Sequence, residues 1–353
     1  MTALADILIR RIVTQGPMTL AEFMTEALLH PEHGYYMARD PLGAAGDFTT
    51  APEISQMFGE LVGLFLARVW MDQGAPDPFI LAELGPGRGT LLTDVLRATR
   101  TVPGFCDAAC LHLVEVSPVL RSEQAARLTS HAPTWHMDMS DLPEGPLFLI
   151  ANEFFDALPI RQFRRRGRAW EERVVGLSER RPVFGWTSAV PLGELTDRLA
   201  DTTDGDIVET CAPAAVLAGR IGARIETDGG VALIVDYGSW RSRGDTFQAV
   251  RGHVSVDPLA APGQADLTAH VDFAALSAAA GSAVAPMTTQ GVFLERLGIV
   301  SRARHLAQNL TGQALADHIA AHRRLTHPDE MGDLFKMIAF HPTTSSLPPG
   351  FSR

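Results

Sequence analysis

Residues 83–90 read Glu-Leu-Gly-Pro-Gly-Arg-Gly-Thr, and they lie between a predicted strand and a predicted helix. The strand is the apolar run 79–84, and apolar residues at helical spacing follow the glycines. Glycine has no Cβ, so Gly85, Gly87 and Gly89 allow a ligand to lie against the backbone, and the helix start offers free N–H groups. This stretch therefore predicts a small-molecule site.

The spacing of the glycines distinguishes between nucleotide ligands. A dinucleotide fingerprint, G-x-G-x-x-G/A, needs Gly or Ala at position 90, where the residue is Thr90. A P-loop is excluded because no Gly-Lys-Ser/Thr follows. The upstream acid Glu83 suits a cationic ligand better than a pyrophosphate, and S-adenosylmethionine carries a sulfonium and an ammonium but no phosphate. The loop predicts S-adenosylmethionine, with a nicotinamide oxidoreductase as the weaker alternative.

Two further acids follow predicted strands. Glu115 ends the strand that begins at Leu111, and an acid there is placed to accept both ribose hydroxyls of a nucleoside. Asp138 follows the predicted strand 133–137 and is expected to accept the adenine amino group. Each acid taken singly fits a solvated strand end, but the set predicts a nucleoside site at the carboxyl ends of the strands.

The rest of the chain alternates short apolar runs with helical stretches, which predicts an α/β fold whose sheet is parallel and covered on both faces. The predicted strands are residues 79–84, 111–116, 147–151, 231–235 and 335–340. Residues 171–175 and 182–186 read instead as antiparallel strands of an inserted β-flap. The arginine-rich run 161–168 is expected to form a solvated edge of this flap that resists strand pairing, or to face an acidic protein partner.

The first seventy residues are predicted to be helical, with one exposed loop. Residues 1–13 form an amphipathic pattern, and Thr19 with Glu22 makes a capping box. Thr50 with Glu53 makes a second capping-box pattern, which is expected to open the next helix. Residues 237–290 are expected to be loop-rich, and residues 315–325 helical.

Composition excludes several classes of protein. The 353 residues are enough for about two domains, and 46% are apolar. A formal net charge of −11 repels nucleic acid and anionic membranes, and every apolar run is too short to cross a bilayer.

Cys106, Cys110 and Cys211 lack metal-finger spacing and predict free thiols in a reducing compartment, hence a cytoplasmic protein. His318 and His322 lie four residues apart on a predicted helix with His327 beyond it, but a metal site needs a third ligand of defined geometry, so no metal is expected.

Four longer blocks resemble one family. They are residues 46–56 (GDFTTAPEISQ), 151–159 (ANEFFDALP), 266–273 (DLTAHVDF) and 331–336 (MGDLFK). With the glycine loop, they resemble the MidA family of class I S-adenosylmethionine-dependent methyltransferases from about residue 20 to residue 340. This family includes a mitochondrial respiratory complex I assembly factor that methylates an arginine of a complex I subunit.

The resemblance implies a Rossmann-like sheet of seven mostly parallel strands, with the cofactor over the glycine loop and Glu115 as the ribose acid. Gly46 and Asp47 would belong to an N-terminal helical lid over the cofactor and the substrate. The predicted segments are the helical region with its lid loop (1–72), the first half of the core (73–160), the β-flap (161–205), the core continuation (206–240), a loop-rich substrate side (241–290) and the C-terminal helices with the last strand (291–353).

The stretch that leaves the strand 147–151 carries the expected chemistry. Methyl transfer is an in-line displacement, so the enzyme positions the nucleophile about 3 Å from the methyl carbon and removes its proton. Carboxylates orient a guanidinium through paired hydrogen bonds. We therefore expect Glu153 to orient the guanidinium, with Asp156 or Glu53 as a second carboxylate, and Asn152 to join the cofactor-binding residues. Glu153 and Phe154 replace the prolines of an Asn-Pro-Pro-Tyr motif, which disfavours a nucleobase amine.

The combined prediction is a cytoplasmic S-adenosylmethionine-dependent protein arginine methyltransferase that acts on a respiratory complex I subunit during assembly, without a metal, a nucleic acid partner or membrane insertion. Two alternatives stay open. One is an assembly factor that binds the cofactor without chemistry. The other is a small-molecule methyltransferase, which a narrow closed pocket would favour.

Overall fold

A computed structural model describes residues 2–38 and 49–352. Gly46 and Asp47 lie outside the described residues. The helices are, in chain order, α1 (Ala3–Gln15), α2 (Leu20–Leu29), α3 (Tyr35–Ala38), α4 (Ala51–Ile54), α5 (Gln56–Asp72), α6 (Thr90–Thr99), α7 (Phe105–Ala108), α8 (Pro118–Arg127), α9 (Ala212–Asp228), α10 (Phe273–Ala279), α11 (Gln290–Arg296), α12 (Ile299–Ala307) and α13 (Gly312–Thr326). The strands are, in chain order, β1 (Met18–Thr19), β2 (Phe79–Leu84), β3 (Ala109–Val114), β4 (Thr134–His136), β5 (Leu147–Asn152), β6 (Arg161–Arg166), β7 (Ala169–Ser178), β8 (Arg181–Trp186), β9 (Ile207–Thr210), β10 (Gly230–Ser239), β11 (Gln248–Arg251), β12 (Val254–Val256), β13 (Asp266–Thr268), β14 (Val271–Asp272), β15 (Ala283–Val284), β16 (Thr288–Thr289) and β17 (Phe335–His341).

The chain forms two compact units, each made of three separated stretches. The first unit consists of residues 1–48, 156–214 and 239–272, and the second of residues 49–155, 215–238 and 273–353. The glycine loop and the predicted parallel strands belong to the second unit. The division into six sequence segments stays a prediction.

In the second unit, seven strands of the predicted sheet follow one another in the order β4-β3-β2-β5-β10-β17-β15, and β16 also pairs with β17. Strand β2 pairs in parallel with β3 and β5, and β5 pairs in parallel with β10. Strand β17 pairs antiparallel with β10, β15 and β16. Every residue of β2 and β5 is buried, which is why these strands read as continuous apolar runs. The predicted α/β fold with a mostly parallel seven-stranded sheet is confirmed.

The predicted strand ends agree with the structure to within a few residues. Strand β3 ends at Val114 instead of at residue 116, because Ser117 caps α8 and Pro118 occupies its first turn. Glu115 directly follows the strand, and its N–H still donates to the His136 carbonyl of β4 at 3.1 Å. This places the Glu115 carboxylate in the loop after β3 and not within the strand.

The predicted capping box at Thr50 is wrong. Among the described residues, the Thr50 side chain makes no capping hydrogen bond, and the short helix α4 ends at Ile54. A new helix, α5, then begins, and Ser55 caps it by accepting a hydrogen bond from the Met57 N–H at 3.2 Å. The reason lies with Glu53, whose carboxylate accepts a hydrogen bond from Thr90 on α6 instead of reaching back to Thr50. The capping box of Thr19 and Glu22 is confirmed.

The first unit is built on antiparallel sheets. One has the order β1-β7-β6-β9, with β8 also paired to β7, and the other has the order β12-β11-β13. The antiparallel pairing of β7 and β8 confirms the two predicted flap strands. The expectation of a solvated edge at the arginine run is wrong, because β6 pairs on both sides, with β7 and β9. Cross-strand carboxylates pair with three of its arginines: Arg161 with Glu172 at 2.6 Å, Arg164 with Glu171 at 2.6 Å and Arg166 with Glu171 at 3.0 Å.

Each unit has an apolar core of its own. In the second unit, α5 and α6 cover the sheet, and Phe79 and Phe148 make an edge-on contact with ring centroids 4.9 Å apart. In the first unit, Leu8, Phe23 and Leu267 belong to one buried cluster. No helix in residues 2–38 and 49–352 is long and apolar enough to cross a membrane.

Candidate cofactor and active site

The glycine loop has a backbone conformation that only glycine adopts easily. Gly85, Gly87 and Gly89 have φ values of 59°, 52° and 77°. The Gly85 N–H donates to the carbonyl of Val114 at 3.0 Å, which ties the loop to the end of β3. Gly89 occupies the N-cap of α6, so the free N–H groups of this helix begin where the loop ends.

The end of β5 contacts this loop through an aromatic ring. A Cβ on Gly85 would lie 2.9 Å from Cδ2 of Phe154, so the ring packs directly against the glycine backbone. Phe155 is buried, whereas Phe154 is half-buried at the glycine loop. The turn that carries Glu153 is thereby brought to the predicted cofactor site.

Two buried acceptor atoms lie at neighbouring strand ends. Glu83 in β2 is buried, and desolvation together with the nearby Glu115 raises the pKa of its carboxyl to about 8. Within the described residues, Glu83 Oε2 and Asn152 Oδ1 have no hydrogen-bond partner. Buried acceptors without donors are costly unless a ligand supplies the donors. An ammonium group such as that of S-adenosylmethionine fits this requirement.

Glu115 is held where a ribose acid is expected, in the loop after β3. Its Oε1 accepts a hydrogen bond from the Ser117 N–H at 2.8 Å, and its Oε2 accepts one from Gln124 Nε2 at 3.2 Å. Burial raises the pKa of the Glu115 carboxyl, while these donors lower it. Arg121 fixes the same loop by donating to the Glu115 carbonyl at 2.7 Å.

Gln124 was missed by the sequence interpretation. It is fully buried on α8, and its amide contacts the glycine loop, Glu115 and Trp135. A glutamine in a polar helix carries no sequence signal of such contacts. Its burial and its three hydrogen bonds are evident only from the structure around α8.

Asp138 follows β4, as expected for an acid near the adenine. Its carboxylate accepts hydrogen bonds from the Ser140 N–H at 2.8 Å and from Ser140 Oγ at 2.6 Å, which lower its pKa. Arg220 lies 3.5 Å away. The exposed Asp138 thus caps the short helix Met139–Asp141, and its contact with adenine stays a prediction.

Glu153 lies in a strained backbone conformation immediately after β5. Its φ is 52°, a left-handed conformation that costs a residue other than glycine roughly 1–2 kcal/mol. Its N–H donates to Val235 at 2.9 Å, and its Oε1 accepts hydrogen bonds from the Ala51 N–H at 3.2 Å and from Asn152 Nδ2 at 3.1 Å. Strain of this kind is retained where the surrounding structure enforces it, and functional sites are a common place for it.

Glu53 belongs to α4, and its side chain contacts the first residue of α6. It accepts a hydrogen bond from Thr90 Oγ1, and Arg88 of the glycine loop lies 3.8 Å away. Arg127 donates to the same Thr90 hydroxyl at 2.9 Å. The structure therefore brings Glu53 to the glycine loop, and its role as a second substrate carboxylate stays a prediction.

Asp236 supports the turn that carries Glu153. It is fully buried in β10, and its Oδ2 accepts a hydrogen bond from the Phe155 N–H at 3.0 Å. Its Oδ1 accepts one from the Tyr237 N–H at 2.9 Å. Asp236 thus lies within β10, and its carboxylate holds the backbone of the turn after β5.

Asp156 belongs to the first unit. Its carbonyl accepts a hydrogen bond from the Ala269 N–H at 3.0 Å, and its side chain is buried. Tyr36 donates to Asp266 Oδ1 at 2.7 Å, and burial with the charges of Asp266 and Asp156 raises the pKa of the Tyr36 hydroxyl well above its usual range. The role of Asp156 as a second catalytic carboxylate stays a prediction.

Comparison with known proteins identifies the family. Residues 61–292 match the family described as "Putative S-adenosyl-L-methionine-dependent methyltransferase". The chain belongs to this methyltransferase family. The glycine loop, Glu83, Glu115 and Glu153 all lie within the matched residues.

Three relatives cover nearly all of this methyltransferase. The mitochondrial protein arginine methyltransferase NDUFAF7 of Danio rerio is 38% identical over 93% of this chain and 84% of its own length. That of Homo sapiens is 37% identical over 95% of this chain and 82% of its own length. A crystal structure of a COG1565 superfamily member from Burkholderia thailandensis, bound to S-adenosyl-homocysteine, is 27% identical, with a TM-score of 0.85 over 99% of this chain and 95% of that chain.

These findings confirm the predicted family and cofactor. The family is S-adenosylmethionine-dependent, and the Burkholderia relative is bound to S-adenosyl-homocysteine. The unpartnered acceptors on Glu83 and Asn152 and the left-handed glycine loop fit such a ligand. That these residues of this chain bind the cofactor stays a prediction.

Proposed function

We propose that this methyltransferase is a protein arginine N-methyltransferase whose substrate is a subunit of respiratory complex I. The observation that carries the proposal is the Glu153 carboxylate, held in a strained turn after β5 beside the glycine loop. Relatives at 37–38% identity are named protein arginine methyltransferases, which supports a protein substrate. The cytoplasmic location predicted from the three cysteines is part of this proposal.

The carboxylate suits a guanidinium. Bound S-adenosylmethionine supplies the electrophilic methyl group. Glu153 accepts N–H hydrogen bonds from the guanidinium, which turns one nitrogen lone pair towards the methyl carbon and offsets the positive charge. Forming the new C–N bond as the S–C bond breaks would release one proton from the nitrogen, and we expect the Glu153 carboxylate to accept it. Asn152 and the Ala51 N–H hold the carboxylate in that orientation.

The test is Glu153→Gln, which keeps an oxygen acceptor for the Ala51 and Asn152 donors but removes the negative charge. The assay uses methyl-labelled S-adenosylmethionine and complex I isolated from cells that lack this protein, with methylarginine measured by amino-acid analysis. We expect turnover to fall by about a hundredfold or more, with S-adenosyl-homocysteine binding unchanged. The matched control is Glu123→Gln, which changes an exposed glutamate on α8.

Each outcome decides a separate part of the proposal. Full turnover by Glu153→Gln would remove Glu153 from the mechanism. Label on a residue other than arginine, or only on a small molecule, would overturn the arginine specificity. Wild-type protein that binds S-adenosyl-homocysteine but transfers no label would favour a cofactor-binding assembly factor without chemistry.

A further inference from the structure

The buried amide of Gln124 connects three parts of the candidate cofactor site. Its Nε2 donates to the Gly87 carbonyl at 2.7 Å and to Glu115 Oε2 at 3.2 Å, and its Oε1 accepts from Trp135 Nε1 at 2.8 Å. The glycine loop, the loop after β3 and strand β4 therefore meet at one side chain. Gln124 has no exposed surface.

The orientation of this amide follows from the chemistry of its partners. The indole N–H of Trp135 can only donate, so the atom that faces it must be the amide oxygen. The two protons of Nε2 then point to the Gly87 carbonyl and the Glu115 carboxylate, which can only accept when the carboxyl is ionised. Both donors of the amide are thus used on the cofactor side of α8.

The contacts of Gln124 constrain the two groups that the cofactor is expected to meet. Glu115 is buried, and its second oxygen would lose a donor without Gln124. The hydrogen bond from Gln124 to the Gly87 carbonyl fixes the peptide plane of Gly87. It therefore also fixes the orientation of the glycine loop. Preorganised groups of this kind bind a ligand more tightly because less ordering is needed on binding.

We propose that Gln124 is a positioning residue for S-adenosylmethionine, which aims the Glu115 carboxylate at the ribose hydroxyls and fixes the glycine loop. This inference rests on the proposed contact between Glu115 and the ribose. An apolar side chain of the same size would fill the space equally well, but the Trp135 N–H, the Gly87 carbonyl and Glu115 Oε2 would each lose the hydrogen bond that Gln124 makes with them. The amide itself, and not the packed volume, is therefore the functional feature.

The test is Gln124→Met, which keeps the length and the volume of the side chain and removes its donors and acceptor. Affinity for S-adenosyl-homocysteine is measured by calorimetry for the wild type, Gln124→Met, Glu115→Ala and the double variant. We expect Gln124→Met to weaken binding by about tenfold or more, as for the loss of a hydrogen bond to a charged group. In the Glu115→Ala background, the same change should weaken binding by less than about threefold, because the two residues act together.

The control is Gln313→Met, which removes a hydrogen bond to Asp317 at 2.7 Å on the exposed face of α13 and should leave binding unchanged. Thermal unfolding of each variant identifies loss of the fold. If Gln124→Met does not fold, Trp135→Phe replaces it. This change frees the amide to rotate, and we expect binding to weaken by about two- to fivefold.

Wild-type affinity in a folded Gln124→Met protein would overturn the positioning role. An equal loss with and without Glu115 would overturn it as well, because a merely structural residue acts independently of its neighbour. If Trp135→Phe is used instead, unchanged affinity for S-adenosyl-homocysteine would also overturn the positioning role. Wild-type protein that does not bind S-adenosyl-homocysteine would instead overturn the cofactor site on which the inference rests.

Discussion

At the scale of single residues, burial changes the acid–base behaviour of Glu83. Its folded-state pKa of about 8 lies above the ordinary value of 4.5, because desolvation and Glu115 disfavour the carboxylate. Below pH 4.5 both the folded and the unfolded states hold the proton. Between pH 4.5 and 8 the unfolded state releases it while the folded state keeps it. The free energy of unfolding therefore decreases as the pH rises through this window.

Glu83→Gln removes this titration. We expect the free energy of unfolding of the variant, relative to that of the wild type, to be a few kcal/mol higher at pH 8 than at pH 5. Urea denaturation at both pH values measures this difference. Glu123→Gln, on the exposed surface of α8, provides the control and should show the wild-type pH dependence. If the free energy of unfolding changed with pH by the same amount in Glu83→Gln and in the wild type, the shifted pKa of Glu83 would be contradicted.

Gly85 tests how closely the turn after β5 approaches the glycine loop. In Gly85→Ala the new Cβ would lie 2.9 Å from Phe154, and alanine would have to adopt a φ of 59°. We expect a loss of stability of about 1–3 kcal/mol and weaker binding of S-adenosyl-homocysteine.

The matched control for Gly85→Ala is Gly193→Ala, because a Cβ at Gly193 meets nothing within 4 Å and the backbone there is not left-handed. Its stability should stay within about 0.5 kcal/mol of the wild type. Equal effects of the two alanines on stability would show that the Phe154 contact does not constrain the loop.

At the scale of elements, the break between α4 and α5 separates two residues that both look like helix caps. Ser55 Oγ accepts a hydrogen bond from the Met57 N–H, whereas the Thr50 side chain makes no capping bond with a described residue. We expect Ser55→Ala to cost about 1 kcal/mol in the free energy of unfolding and Thr50→Ala only a few tenths. Denaturant titration of the two variants measures both values. A cost at Thr50 as large as that at Ser55 would mean that the predicted capping box forms after all.

The elements also differ in how far the sequence predicts them. Strands β2 and β5 are predicted almost to the residue, because full burial makes them uninterrupted apolar runs between turn residues. Strand β6 is predicted less well, since its many arginines suggest an edge. Its second neighbour, β9, lies more than forty residues downstream, and no local pattern indicates that pairing.

At the scale of the whole molecule, ligand binding should stabilise the second unit, which contains the glycine loop, Glu83 and Glu115. A ligand that binds only the folded state adds about 4 kcal/mol of stability at a concentration one thousand times its Kd. We expect S-adenosyl-homocysteine to raise the thermal unfolding midpoint and NAD to leave it unchanged.

Gly87→Val is the variant that tests this thermal shift, because a β-branched side chain at a φ of 52° would distort the loop and fill the space above it. In this variant, S-adenosyl-homocysteine should no longer raise the thermal unfolding midpoint. An equal rise with NAD in the wild type would restore the nicotinamide alternative that Thr90 argues against.

The sequence by itself determined the α/β class, the mostly parallel sheet, the glycine loop and the acids Glu83 and Glu115. These features depend on short-range patterns, namely apolar runs, glycine spacing and the residue at the end of each strand. The tertiary structure decided which side chains meet. Glu53 contacts Thr90 instead of capping its own helix, and Gln124 joins three elements. Such contacts join residues distant in sequence, and the packing of the elements, not their local sequence, sets the distances between them.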